Sequence, residues 1–183
     1  MKKIAALAIA VGLCTPYSCD VRPVEFLWDD WQNVVAVGIP VLAGVAYCVL
    51  VFSPAFARLV ERRGGTLDRL LAGLYAALLA FWTIACALDG TSSEQWLWLA
   101  LAAGFTLGLL VLARRRGAPD ARVPLLLLSL LGLPAVDYFL TCLIVLKSLQ
   151  YGGWIFSAGY ALAVIVEARG LRRAPSGGNA APP

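Results

Sequence analysis

Trp96-Leu97-Trp98-Leu99-Ala100-Leu101-Ala102-Ala103-Gly104-Phe105-Thr106-Leu107-Gly108-Leu109-Leu110-Val111-Leu112-Ala113 carries no charge over eighteen residues, and Arg114-Arg115-Arg116 follows it directly. As a helix rising about 1.5 Å per residue it reaches roughly 27 Å, close to the ~30 Å hydrocarbon thickness of a bilayer. The stretch predicts a transmembrane helix. Its two tryptophans suit one headgroup interface, while three consecutive arginines resist translocation, so the positive-inside rule places Arg114 to Arg116 in the cytoplasm and Trp96 outside.

Working outward, every other apolar segment takes its direction by alternation. Downstream, Gly117 to Val123 forms an inner loop, Pro124 to Leu146 a Leu-rich span, and Ser148 to Val166 the return, with Glu167, Arg169, Arg172 and Arg173 at its inner end. Ala174 to Pro183 has nothing to bury and reads as a disordered cytoplasmic tail. Upstream, Asp89 to Gln95 is a short acidic outer loop and Leu70 to Leu88 a span. Gly64-Gly65 is expected to make the inner turn, with Thr66 as N-cap and Asp68 near the positive end of the new helix. Gln32 to Phe52 is a further span, which Pro40 is expected to kink. Thr15 to Trp31, acidic and aromatic, is expected to lie at the outer interface.

Met1 to Leu13 pairs a basic start with an apolar core of ten residues. Two readings of residues 1–21 stay open: a secretory signal that is removed, or a retained first helix. Both carry the next segment across the membrane. The fold expected is an all-α polytopic transmembrane bundle, with five spans over residues 22–173 plus the signal-like helix. Charge supports this threading, because thirteen of the fifteen Lys and Arg residues fall on the inner side and only Arg22 and Lys147 outside.

Composition narrows the function. The chain of 183 residues is 61% hydrophobic and 14% charged, with mean hydropathy +0.80, which leaves no room for a separate soluble domain. The net charge of +4 comes from residues flanking apolar spans, so it reads as a topology signal and not as a nucleic-acid surface. Histidine is absent and the one methionine is Met1, which removes the usual haem ligands and the imidazoles of most zinc and copper sites. No metal, cofactor or catalytic residue is expected.

Three features could carry a function. Asp137 lies near the middle of the Pro124 to Leu146 span, where an ionised carboxylate costs about 2.5 to 3.5 kcal/mol, so it should face the bundle or a hydrated cavity. Tyr138 and Thr141 are its expected hydrogen-bond partners. The set is either a mid-membrane binding site or a structural acid that holds a kink. Cys14 and Cys19 form a structural disulfide or, less in keeping with their spacing, an outer-face redox pair. Ala100, Gly104 and Gly108 make a small-residue stripe at four-residue steps that allows close helix approach, within the bundle or between chains.

The leading expectation is a non-enzymatic multi-pass protein, acting as an accessory or assembly component through lipid, other membrane proteins or a second copy of itself. Alternatives are a small transporter or channel-like protein using Asp137, and a thiol redox protein using Cys14 and Cys19. A signal-like start on so small a chain points to a bacterial inner membrane, with the C-terminus cytoplasmic.

Overall fold

The computed structural model describes residues 1–15, 34–88, 93–116, 122–133 and 151–173, and all structural statements refer to these. They form α1 (Lys2–Cys14), α2 (Ile39–Phe52), α3 (Pro54–Leu88), α4 (Ser93–Arg116), α5 (Arg122–Leu133) and α6 (Tyr151–Arg173), with no strand among the described residues. Three segments are long and apolar enough to cross a membrane: Val35–Phe52, Pro54–Leu88 and Tyr151–Gly170. The stretch Trp96 to Ala113 lies within the single helix α4.

The axis of the bundle is α5. A helix that is hydrophobic all round has no polar face to show and is stable only when enclosed on every side. Leu125, Leu128 and Leu130 have no exposed surface, and Val123, Leu126, Leu127, Leu131 and Leu133 are buried with them. Pro124 sits in the first turn, where its missing N–H costs nothing.

Against this axis α1 packs closely on α6 and on α2. A Cβ built on Gly12 would lie 2.5 Å from Phe156 Cβ, and one on Gly159 would lie 2.7 Å from Ala8 Cβ and 2.9 Å from the Ile9 nitrogen. The two backbones therefore meet through glycine from both sides. Ala5, Ala6, Ile9 and Leu13 are buried, so the signal-like segment is a core element of this fold. Gly44 of α2 serves the same purpose, since a Cβ there would press on Leu131 and Leu13 at 3.1 and 3.2 Å.

Just before Pro40 the helix changes type. A single π turn, Val34–Gly38, leads into α2, and Pro40 falls in the first turn of the regular helix. Proline has no N–H to give to the carbonyl four residues back, and the wider turn occupies the residues that precede it.

The expected turn at Gly64-Gly65 is corrected. α3 runs unbroken from Pro54 to Leu88, so Thr66 and Asp68 are mid-helix and not at a helix start. The break between α2 and α3 lies at Ser53, which is extended at φ −103° and ψ 108°. The Ser53 hydroxyl accepts from the Phe56 N–H at 3.3 Å, and Pro54 takes the first helical position. That is a strong start signal. Two glycines cost a helix roughly 2 kcal/mol relative to alanine, and packing offsets this. Phe56, Val60, Gly64, Leu67, Leu71, Tyr75, Leu78 and Trp82 recur in steps of three and four along one buried or half-buried stripe. The stripe passes through the glycines without losing register, while Arg58, Glu61, Arg62, Arg63 and Arg69 stay exposed on the other side.

Candidate functional site

The polar groups of the described bundle are arranged in two layers. The outer layer holds the charges. Lys2 Nζ lies 2.8 Å from Glu167 Oε1, and the Tyr47 hydroxyl donates to the same oxygen at 3.1 Å. Through this carboxylate α1, α2 and α6 are joined at one end. Glu167 is only 10% exposed, but Lys2 is 47% exposed, so the ammonium stays hydrated when its partner is neutralised. Losing the charge in Glu167→Gln should therefore cost less than about 1 kcal/mol. Glu167→Leu also strands the buried Tyr47 hydroxyl and should cost about 1 to 3 kcal/mol. Thermal unfolding of the two variants in mild detergent checks that order, and equal melting would contradict it.

Where the middle of α3 meets the C-terminal end of α4 and the start of α5, a second charged group completes this layer. Arg122 Nη1 lies 3.6 Å from Asp68 Oδ2, and Arg122 Nη2 donates to the Arg114 carbonyl at 3.5 Å. Beside them is a small cleft of about 20 Å³, walled by Leu110, Ala113 and Leu126, with room for about one water.

The inner layer consists of hydroxyls. Tyr75 and Thr106 oxygens are 2.6 Å apart, and Thr106 gives its proton to the Ala102 carbonyl at 2.8 Å, so Tyr75 is the donor between them. Ser129 donates to the Leu125 carbonyl at 2.8 Å, and the Tyr160 hydroxyl to the Leu128 carbonyl at 3.1 Å. Tyr75, Ser129 and Tyr160 are each seven residues from a charged partner of the outer layer, Asp68, Arg122 and Glu167, which puts this layer about 10 Å deeper. Every one of these hydroxyls is spent on a partner in the protein. The layer ties α3, α4, α5 and α6 together and presents no nucleophile with a base.

Among the described residues no three side chains of the His, Cys, Asp or Glu type come together to hold a metal. Asp137, Tyr138 and Thr141 lie outside the described residues, as does Cys19. Cys14 is exposed with a free thiol. Ala100, Gly104 and Gly108 are exposed on α4, and no described atom lies within 4 Å of a Cβ placed on either glycine. The stripe points away from the described helices, and Gly73 of α3 is equally open.

Two side-chain groups were not singled out from the sequence. Glu167 was assigned to a helix end, and the Tyr47 contact spans 120 residues. Ser129 within a run of leucines and Thr106 within an uncharged span were the available signals, since isolated hydroxyls at such positions commonly bond to a neighbouring turn or helix.

No family model, curated protein or solved structure matches the chain.

Proposed function

We propose that this chain is a non-enzymatic integral membrane protein that acts by lateral association, through the outward face of α4, with another membrane helix, as an accessory or assembly component. The observation that carries the reading is the open stripe Ala100, Gly104 and Gly108. Small residues facing outward let a second backbone approach, which is how helices associate where no hydrophobic force operates between them. Large apolar side chains surround it, including Leu97, Leu101, Phe105 and Val111 at 39% exposure or more, a surface suited to lipid and not to water.

The topology proposed with it has five spans plus a retained α1, in a bacterial inner membrane. It is supported by the gathering of Lys2, Asp68, Arg114, Arg122 and Glu167 at one end of the bundle, which the positive-inside rule assigns to the cytoplasm together with the C-terminus. Retention of α1 is supported by the packing of Gly12 on Phe156.

Purification of the full chain in a gentle detergent after crosslinking in the membrane tests the association. A homo-oligomer or a stoichiometric membrane partner is expected, and Gly104→Ile combined with Gly108→Ile should abolish it without lowering the melting temperature of the chain. A crosslinked species that survives the double substitution, or a clean monomer that moves a solute in liposomes, overturns the reading.

A further inference from the structure

Helix α3 has 35 residues and is therefore about 52 Å long, more than the roughly 40 to 45 Å of a bilayer with its headgroups. In the topology proposed above, both ends of its first half, Pro54 to Arg69, are held at one membrane surface. Phe52, two residues upstream, closes the apolar span of α2, and Leu70, the next residue downstream, opens the apolar run of α3. A helical segment tethered to the surface at both ends lies along it. Side chains are ordered around this segment accordingly. Arg58, Arg62 and Arg69 fall within about 40° of one another, on the side opposite the buried Val60 and Gly64. Leu59 and Leu70, 48% and 64% exposed, share the next line about three turns apart, and Arg63 bounds the far flank. All four arginines are exposed, and among the described residues none of them pairs with a carboxylate. Arg58 gives one N–H to the Pro54 carbonyl at 3.3 Å and keeps the rest. Against them stands one exposed acid, Glu61, since Asp68 is engaged by Arg122.

We infer that Pro54 to Arg69 is an interfacial helix that docks on the anionic phospholipid of its own leaflet. Leu59 sits among the first acyl carbons, and Arg58, Arg62 and Arg69 on one flank and Arg63 on the other reach headgroup phosphates. The boundary suits both kinds of side chain, because leucine gains by leaving water while an arginine stem can lie along hydrocarbon with its guanidinium in the headgroup layer. The planar guanidinium also presents two parallel donors to a phosphate. Each basic residue beside an anionic surface strengthens the attraction about fivefold. An acidic protein would answer the same charges, but the tether at Phe52 and Leu70 already holds this face against lipid. The inference rests on the membrane reading above and is independent of which partner α4 contacts.

Hydrogen–deuterium exchange of the full chain in nanodiscs of phosphatidylcholine, with or without phosphatidylglycerol, tests it. Amides of residues 55–69 should exchange about tenfold more slowly when phosphatidylglycerol is present, and high salt should erase the difference. Arg58→Gln, Arg62→Gln and Arg69→Gln combined should abolish it, while the same three positions changed to lysine should keep most of it. These side chains are exposed, so the variants should melt with wild type. Leu59→Gln should speed exchange in both lipids, and no change would take Leu59 off the acyl chains. Inorganic phosphate added to phosphatidylcholine discs should slow nothing. Equal exchange in the two lipids, which is what an acidic protein partner would leave, overturns the docking surface. A lipid difference that survives the triple glutamine variant, or protection by inorganic phosphate alone, overturns it as well. Release of the chain from membranes by alkaline carbonate, without detergent, overturns the membrane reading instead.

Discussion

Gly12→Ala and Gly159→Ala are expected to destabilise the fold by about 3 kcal/mol each, at the upper end of what overpacking costs. A methyl on Gly12 would come within 2.7 Å of the Phe156 Cα, and one on Gly159 within 2.9 Å of the Ile9 nitrogen. Backbone atoms cannot rotate away as a side-chain tip can, so α1 and α6 must separate as rigid bodies and give up contact along their length. Gly73→Ala, Gly104→Ala and Gly108→Ala provide the comparison. Each methyl meets no described atom within 4 Å, and alanine favours a helix over glycine, so these three should melt at or slightly above wild type. Fluorescence-detected melting in mild detergent reads the contrast. If Gly12→Ala melts with Gly104→Ala, the packing of the first helix on the last is wrong.

Gly132→Ala is the second large effect. Its methyl would coincide with the Tyr160 hydroxyl and lie 2.9 Å from Thr106 Cγ2, in the layer where α4, α5 and α6 meet. A loss of about 2 to 3 kcal/mol is expected. The nearest clash is with one removable atom, which makes its share testable. Tyr160→Phe deletes the hydroxyl and its bond to the Leu128 carbonyl, a loss of about 1 kcal/mol by itself. In that background Gly132→Ala should cost less than alone, the contact with Thr106 Cγ2 remaining, which gives a favourable coupling of about 1 to 2 kcal/mol in a double-mutant cycle. Strict additivity would locate the clash elsewhere.

How much of this was legible from residues alone depends on the length scale of the signal. The uncharged run ending in three arginines is a local signal, and it lies within a single helix, α4, ending at Arg116. The leucine run after Pro124 read as an apolar span, and that α5 is buried along its length emerged only from the packing. Gly64-Gly65 misled because glycine is a strong local breaker. The competing signal was the three-and-four spacing of Phe56, Val60, Leu67 and Leu71 on both sides of the pair, a longer-range pattern that packing rewards. Ser53-Pro54 held the true start ten residues earlier, hidden at the end of an apolar span. The small-residue stripe on α4 was plain in spacing, but spacing does not say which way a stripe points; that it faces away from the described helices came only from the neighbours it lacks among them. Glu167 is the same kind of case, since its partners Lys2 and Tyr47 come from the other end of the chain. The segment bearing Asp137 is outside the described residues, and its reading rests on hydropathy alone.

The grip of α1 on α6 has a consequence for biosynthesis. Ribosomes deliver the helices in order, and the partner that covers Gly12 is the last to emerge. Under the membrane topology proposed above, α1 waits until then with its narrow flank uncovered, and α5 arrives before α6 can pack on it. Assembly should therefore resemble a clasp that fastens once α6 is made, and nascent chains that stop short of Phe156 should be the forms most exposed to proteases.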